Sequence, residues 1–228
     1  MSKDVYHYVG HRKRLRERFR SAGRKGLADY ELLELLLTYA LPRKDIKPMA
    51  KQIIAKYGSL ANILDLDMDE LESNPGIGEY AATLIRLVKE CMVAYLEPAE
   101  ANMPVLNTPQ KLYDYIKVEI GNTRNECFMV VCLDAGLHLL RADILTTGTT
   151  DHAHIYPREV IKYALSNNAS GLILVHNHPS GTMKPSSDDI KLTERLKEIA
   201  SPLGISIHDH LIVTRQGVFS IRESRCIY

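Results

Sequence analysis

The apolar pattern changes character once along the chain, at a stretch holding three prolines, and no single regular architecture accommodates both sides of it. From Asp29 to about Leu96, apolar residues recur at helical spacing. Tyr30, Leu32, Leu33, Leu35, Leu36 and Leu37 predict a strongly apolar helix that stops near Leu41-Pro42. Ile46–Tyr57 reads as a second, amphipathic helix ended by Gly58, and Ile63–Leu71 as a short one. Ala81–Tyr95 follows as a helix with Leu84, Ile85, Leu87 and Val88 on its apolar face. No strand candidate occurs in this half. Glu97–Pro109 then loses periodicity and holds Pro98, Pro104 and Pro109, the signature of an interdomain linker.

Beyond the linker the composition favours strands. Cys127–Asp134 is a buried strand, and a second follows the turn chemistry of Asp134-Ala135-Gly136, so the two suggest a hairpin. Pro157-Arg158-Glu159 opens a helix, with proline suited to the first helical position. GLILVHNH is a β-branched strand, Ser187–Ile199 a helix, and ISIHDHLIVT and GVFSI the last strands. At 228 residues two small domains can each bury a core. The expected organisation is a small all-α domain over 1–97, a linker over 98–107 and an α/β mixed-sheet domain over 108–228.

Net charge is +1, so bulk electrostatics select no partner. The first 25 residues are different: nine Lys and Arg, from Lys3 to Lys25, stand against Asp4 and Glu17. Such an arm holds nucleic acid phosphates or forms a solvated helix face. Cys91, Cys127, Cys132 and Cys226 contain no C-x-x-C pair, which argues against a thiolate zinc ribbon and a disulfide framework. No apolar leader opens the chain and no run approaches the ~20 apolar residues of a membrane span. A soluble, cytoplasmic protein without membrane contact is expected.

The segment His176–Asp189 carries chemistry. Histidines at i and i+2 at a strand end share one side, and a turn through Pro179 and Gly181 lets an acidic side chain in the next helix's first turn reach the same point. Two imidazoles and a carboxylate leave the fourth tetrahedral position open, as in catalytic zinc sites. An ion there would acidify water and polarise a carbonyl. Ser186-x-x-Asp189 before Ile190 and Leu192 also fits a capping box, and both readings can hold together.

The whole pattern, H-x-H-P, six residues, then S-x-x-D, resembles the JAMM/MPN metalloprotease signature. Within that class His176-Asn177-His178-Pro179-Ser180-Gly181 resembles the RadC branch. Deubiquitinating members usually carry Ser or Thr where Asn177 stands. Thr147-Gly148-Thr149, Tyr156-Pro157-Arg158-Glu159 and Asp209–Val213 extend the likeness over nearly all of Thr108–Tyr228. The resemblance implies a cytidine-deaminase-like three-layer α/β fold and one Zn2+ per chain on His176, His178 and Asp189. It also implies Ser186 as a donor toward the tetrahedral oxyanion. The class requires a glutamate general base, for which Glu126, at the start of the first apolar strand, is the candidate. Glu159 competes, but as the third residue of a Pro-started helix it is better explained by helix-terminus electrostatics. His208-Asp209-His210 is a second His-x-His, read as structural or as support for the first cluster.

Asn74–Ala82 resembles the helix-hairpin-helix motif of RadC N-terminal regions. Gly76 and Gly78 would let the backbone approach a phosphate, with a plain interhelical turn or a protein-docking surface as the alternatives. Its acidic flank (Asp67, Asp69, Glu70, Glu72, Glu79) weakens the case for DNA. Three functions follow: a zinc peptidase or isopeptidase acting on a peptide or protein, targeted to DNA in a repair context; a metal-dependent nuclease; or a non-catalytic DNA-associated adaptor. The literal triplet His176-Asn177-His178 is not an HNH nuclease motif, whose residues lie tens of positions apart.

Overall fold

The computed structural model describes residues 6–42, 44–97, 109–148 and 155–227. The linker expected over 98–107 lies outside them, as does Thr149. The chain divides into two compact units, Met1–Met92 and Val93–Tyr228. No described helix is long and apolar enough to cross a membrane.

Within the described residues the first unit is helical: α1 (Tyr6–Ala22), α2 (Asp29–Ala40), α3 (Lys47–Tyr57), α4 (Leu60–Leu64), α5 (Met68–Glu72) and α6 (Glu79–Leu96), which runs past the unit boundary. Its core joins Leu33 and Leu37 of α2, Ile53 of α3, Ile63, Leu71 and Ile85. The single short helix expected over Ile63–Leu71 is two. Asp67 accepts the Glu70 N–H (2.7 Å) and caps α5, so this carboxylate competes with helix continuation. Asp65, just past α4, instead receives the ammonium of Lys89 from α6 as an ion pair with both side chains nearly buried.

The basic N-terminal stretch is helix α1, and much of its charge is used inside the unit. Arg12 donates to the carbonyls of Pro42, Leu41 and Lys44, Arg18 pairs with Glu31, and Arg24 just beyond pairs with Asp29. Leu15 buries against Leu27 and Leu35.

The turn before α6 needs one of its two glycines. Gly76 has φ +92°, and a Cβ there would meet Met49 Sδ at 2.8 Å; Gly78 has open space around it. Gly76→Ala is expected to cost about 1–2 kcal/mol in chemical denaturation, the left-handed penalty for an L side chain. Gly78→Ala is expected to stay within about 0.5 kcal/mol of wild type.

The second unit opens with α7 (Pro109–Ile120), then β1 (Cys127–Leu133), β2 (Leu139–Thr147), α8 (Pro157–Ser166), β3 (Gly171–Asn177), α9 (Ser187–Ala200), β4 (Ser206–Val213), β5 (Val218–Ser220) and β6 (Arg225–Cys226). The sheet order is β2-β1-β3-β4-β5-β6, with β3 and β4 parallel and all other neighbours antiparallel. The expected hairpin is β1–β2. Helices cover both faces. Leu112, Tyr115 and Ile116 of α7 pack on Met129, Val131, Ile173 and Val175. Val160 and Ala164 of α8 and Leu196 of α9 pack on Phe128, Val130, Leu172 and Leu174. β1 and β3, buried throughout, therefore read as continuous apolar runs rather than alternating ones.

Candidate metal centre

The alternation of β3 decides which side chains meet. His176 is the register partner of Phe128 and faces the α8–α9 side, Asn177 faces the opposite side, and His178 returns to the first. The His178 N–H donates to the Val213 carbonyl (3.0 Å), holding this step beside β4. Gly181, at φ +81°, turns the chain with its own N–H on the His178 carbonyl (2.9 Å).

Ser186 then starts α9 with a reciprocal capping box. Its Oγ accepts the Asp189 N–H (3.1 Å), and the Asp189 carboxylate accepts the Ser186 N–H (2.7 Å) and hydroxyl (2.6 Å). The cap fixes Asp189, only 4% exposed, against both histidines. His176 Nδ1 donates to Asp189 Oδ1 at 2.8 Å, and His178 Nε2 stands 3.4 Å from Asp189 Oδ2. Burial alone would raise the Asp189 carboxyl, but the hydrogen bonds from His176 and Ser186, with the His178 ring beside it, outweigh burial and hold the group below the ordinary carboxylate range.

These contacts test whether a metal suits the residues. His178 Nδ1 lies 2.8 Å from the Thr182 carbonyl, which can only accept, so Nδ1 carries the proton and the neutral ring has a bare Nε2. That lone pair faces a carboxylate oxygen across 3.4 Å, close to the ~3.3 Å edge of a tetrahedron with ~2.0 Å bonds. His176 Nε2 is buried without a hydrogen-bond partner among the described residues. With its Nδ1 on Asp189, His176 directs Nε2 away from that carboxylate, so one ion reaches His176, His178 and Asp189 together only once the His176 ring turns; two imidazoles and a carboxylate are the donor types of a zinc site. The donor set fits.

Glu126 comes to the same pocket, with Oε2 at 3.7 Å from His176 Nε2. It precedes β1 directly, and Asn177 holds its segment from the far face of the sheet. Asn177 Oδ1 accepts the Cys127 N–H (2.5 Å), and its Nδ2 donates to Thr123 Oγ1 (2.7 Å) and the Asn125 carbonyl (3.1 Å). The middle residue of the triplet is thus a clamp on the Glu126 loop, pointing away from the histidines. Glu159 sits in the first turn of α8, paired with Arg158.

The second His-x-His divides. His208 is half-buried and packs over Gly171, where any Cβ would collide with its ring. His210 is 1% exposed, with a ring nitrogen within 4.8 Å of donor atoms of His176 and Asp189. Burial keeps this ring neutral, its pKa pushed down to about 3. From sequence this pair reads as structural or supporting; the structure brings His210 itself to the cluster, through a strand distant in sequence. The available signal was its strand, whose apolar run parallels that of β3.

Two family models match the chain. A RadC-like JAB domain covers residues 106–226, and a UPF0758 N-terminal model covers 7–83. The first spans α7 to β6, the stretch that supplies every side chain of the site, and is consistent with a JAMM-type metal-dependent hydrolase. With this match extending over more than half its length, the chain belongs to the RadC family.

Proposed function

We propose that the second unit is a zinc-dependent hydrolase that cleaves a peptide or isopeptide bond. The observation that carries this is the convergence of two imidazoles on one buried carboxylate, His176 at 2.8 Å and His178 at 3.4 Å from Asp189, with Glu126 3.7 Å from His176 Nε2. His176, His178 and Asp189 would hold one Zn2+, which when bound supplies Lewis acidity toward a water and a carbonyl oxygen. Glu126 takes the proton of the attacking water on a carboxylate oxygen and returns it to the leaving amine. Ser186 fixes Asp189; to donate to a developing oxyanion its hydroxyl must leave Asp189 Oδ2.

In the same reading the helical unit targets the enzyme to DNA, the turn at Gly76 and Gly78 serving as a helix-hairpin-helix contact for phosphate. The open space around Gly78 and the exposed Arg16 and Arg20 of α1 support that part. Purified full-length chain is expected to retain about one zinc per chain. It should hydrolyse members of a peptide library, lose that activity to a chelator and regain it with Zn2+. Wild type without a divalent ion, metal-independent hydrolysis, or cleavage of DNA alone would overturn the assignment.

A further inference from the structure

We propose that His210 gives this pocket an inner seat for the divalent transition-metal ion, shared with His176 and Asp189 and lying to the buried side of the seat that includes His178. The inference rests on the metal-centre reading above and adds a donor that the H-x-H and S-x-x-D pattern does not contain.

The tautomer of His210 follows from a single hydroxyl. Thr193, one turn after Asp189 on α9, has one hydroxyl proton and donates it to the Asp189 carbonyl at 2.6 Å. Its 2.7 Å contact with His210 Nδ1 therefore requires Nδ1–H as donor and Thr193 Oγ1 as acceptor. The neutral ring then carries its lone pair on Nε2. That atom is buried and has no hydrogen-bond partner among the described residues. His176 is in the same condition, since its Nδ1 proton goes to Asp189 Oδ1. The two rings lie nearly parallel, 20° apart with centroids at 6.5 Å, and both pack edge-on against Phe128.

Two buried imidazoles with bare nitrogens beside a carboxylate are acceptors without a donor, and imidazole nitrogen is a preferred ligand of zinc, copper, iron and nickel. A ring nitrogen of His176, one of His210 and an Asp189 oxygen lie within 4.8 Å of one another, so one ion gathers them once the His176 ring turns from its Nδ1–H bond to Asp189. His178, the more exposed histidine, then becomes dispensable for retaining the ion.

The test needs no substrate. Co2+ and Zn2+ affinities are measured on the full chain by competition with a chromophoric chelator, and the visible spectrum of the Co2+ form reports the ligand set. Wild type, His178→Ala, His210→Leu, the double variant and Thr193→Val are compared. His178→Ala is expected to keep Co2+ at reduced affinity with an altered spectrum, and the double variant to lose it. His210→Leu in the wild-type background should weaken binding roughly 10–100-fold, and Thr193→Val, which keeps the imidazole but removes its orienting acceptor, roughly tenfold. Thr193→Val decides the matter should His210→Leu fail to fold by circular dichroism. A double variant that binds as tightly as His178→Ala, His178→Ala without metal, or unchanged affinity and spectrum in Thr193→Val overturns the inner seat. Wild type that takes up no ion overturns the metal centre itself, a distinguishable result.

Discussion

Glu126→Gln is expected to slow hydrolysis by about 10²–10⁴-fold while leaving the bound ion in place, the range associated with losing a positioned general acid–base. The substitution keeps size and one oxygen, so the loop retained by Asn177 through Thr123, Asn125 and Cys127 has no reason to move. What disappears is the carboxylate basicity near His176 Nε2, 3.7 Å away. The fall should lie in kcat with KM little changed, because the lost interaction belongs to the transition state. Loss of metal together with activity would make Glu126 a ligand, and unchanged kcat would remove it from the chemistry.

Phe128→Ala should cost about 3–5 kcal/mol of folding stability, read from urea denaturation of the metal-free chain. Phe128 is wholly buried in β1, between β2 and β3, and its ring packs against His176 at 6.1 Å and His210 at 5.9 Å. A cavity there lies directly beneath the donors, so metal affinity should fall with stability. Saturating Zn2+ should return part of the loss, about 2.7 kcal/mol at a hundredfold excess over Kd, since the ion binds the folded state. A loss below about 1 kcal/mol would mean the neighbouring helices close the gap.

The convergence of the His176–Asp189 segment was legible because it is local. His176, His178, Ser186 and Asp189 lie within 14 residues, and strand alternation followed by a capping box dictates how they converge. His210 was not, because its position depends on the parallel pairing of β4 with β3, where Leu174 and His210 are register partners. The role of Asn177 was equally hidden, being set by a loop some 50 residues earlier. Among the helices, α7 was missed although Leu112, Tyr115, Ile116 and Ile120 follow Pro109 at helical spacing. α1 offered less: Leu15 is its one buried side chain among those described, so its helix shows no apolar face to read.

The crossover from β3 through α9 to β4 contributes His176, His178, Asp189, Thr193 and His210, while Glu126 arrives from the start of β1. The proposed donors and the proposed base thus come from segments some 50 residues apart, and it is the antiparallel pairing of β1 with β3 that sets them beside one another.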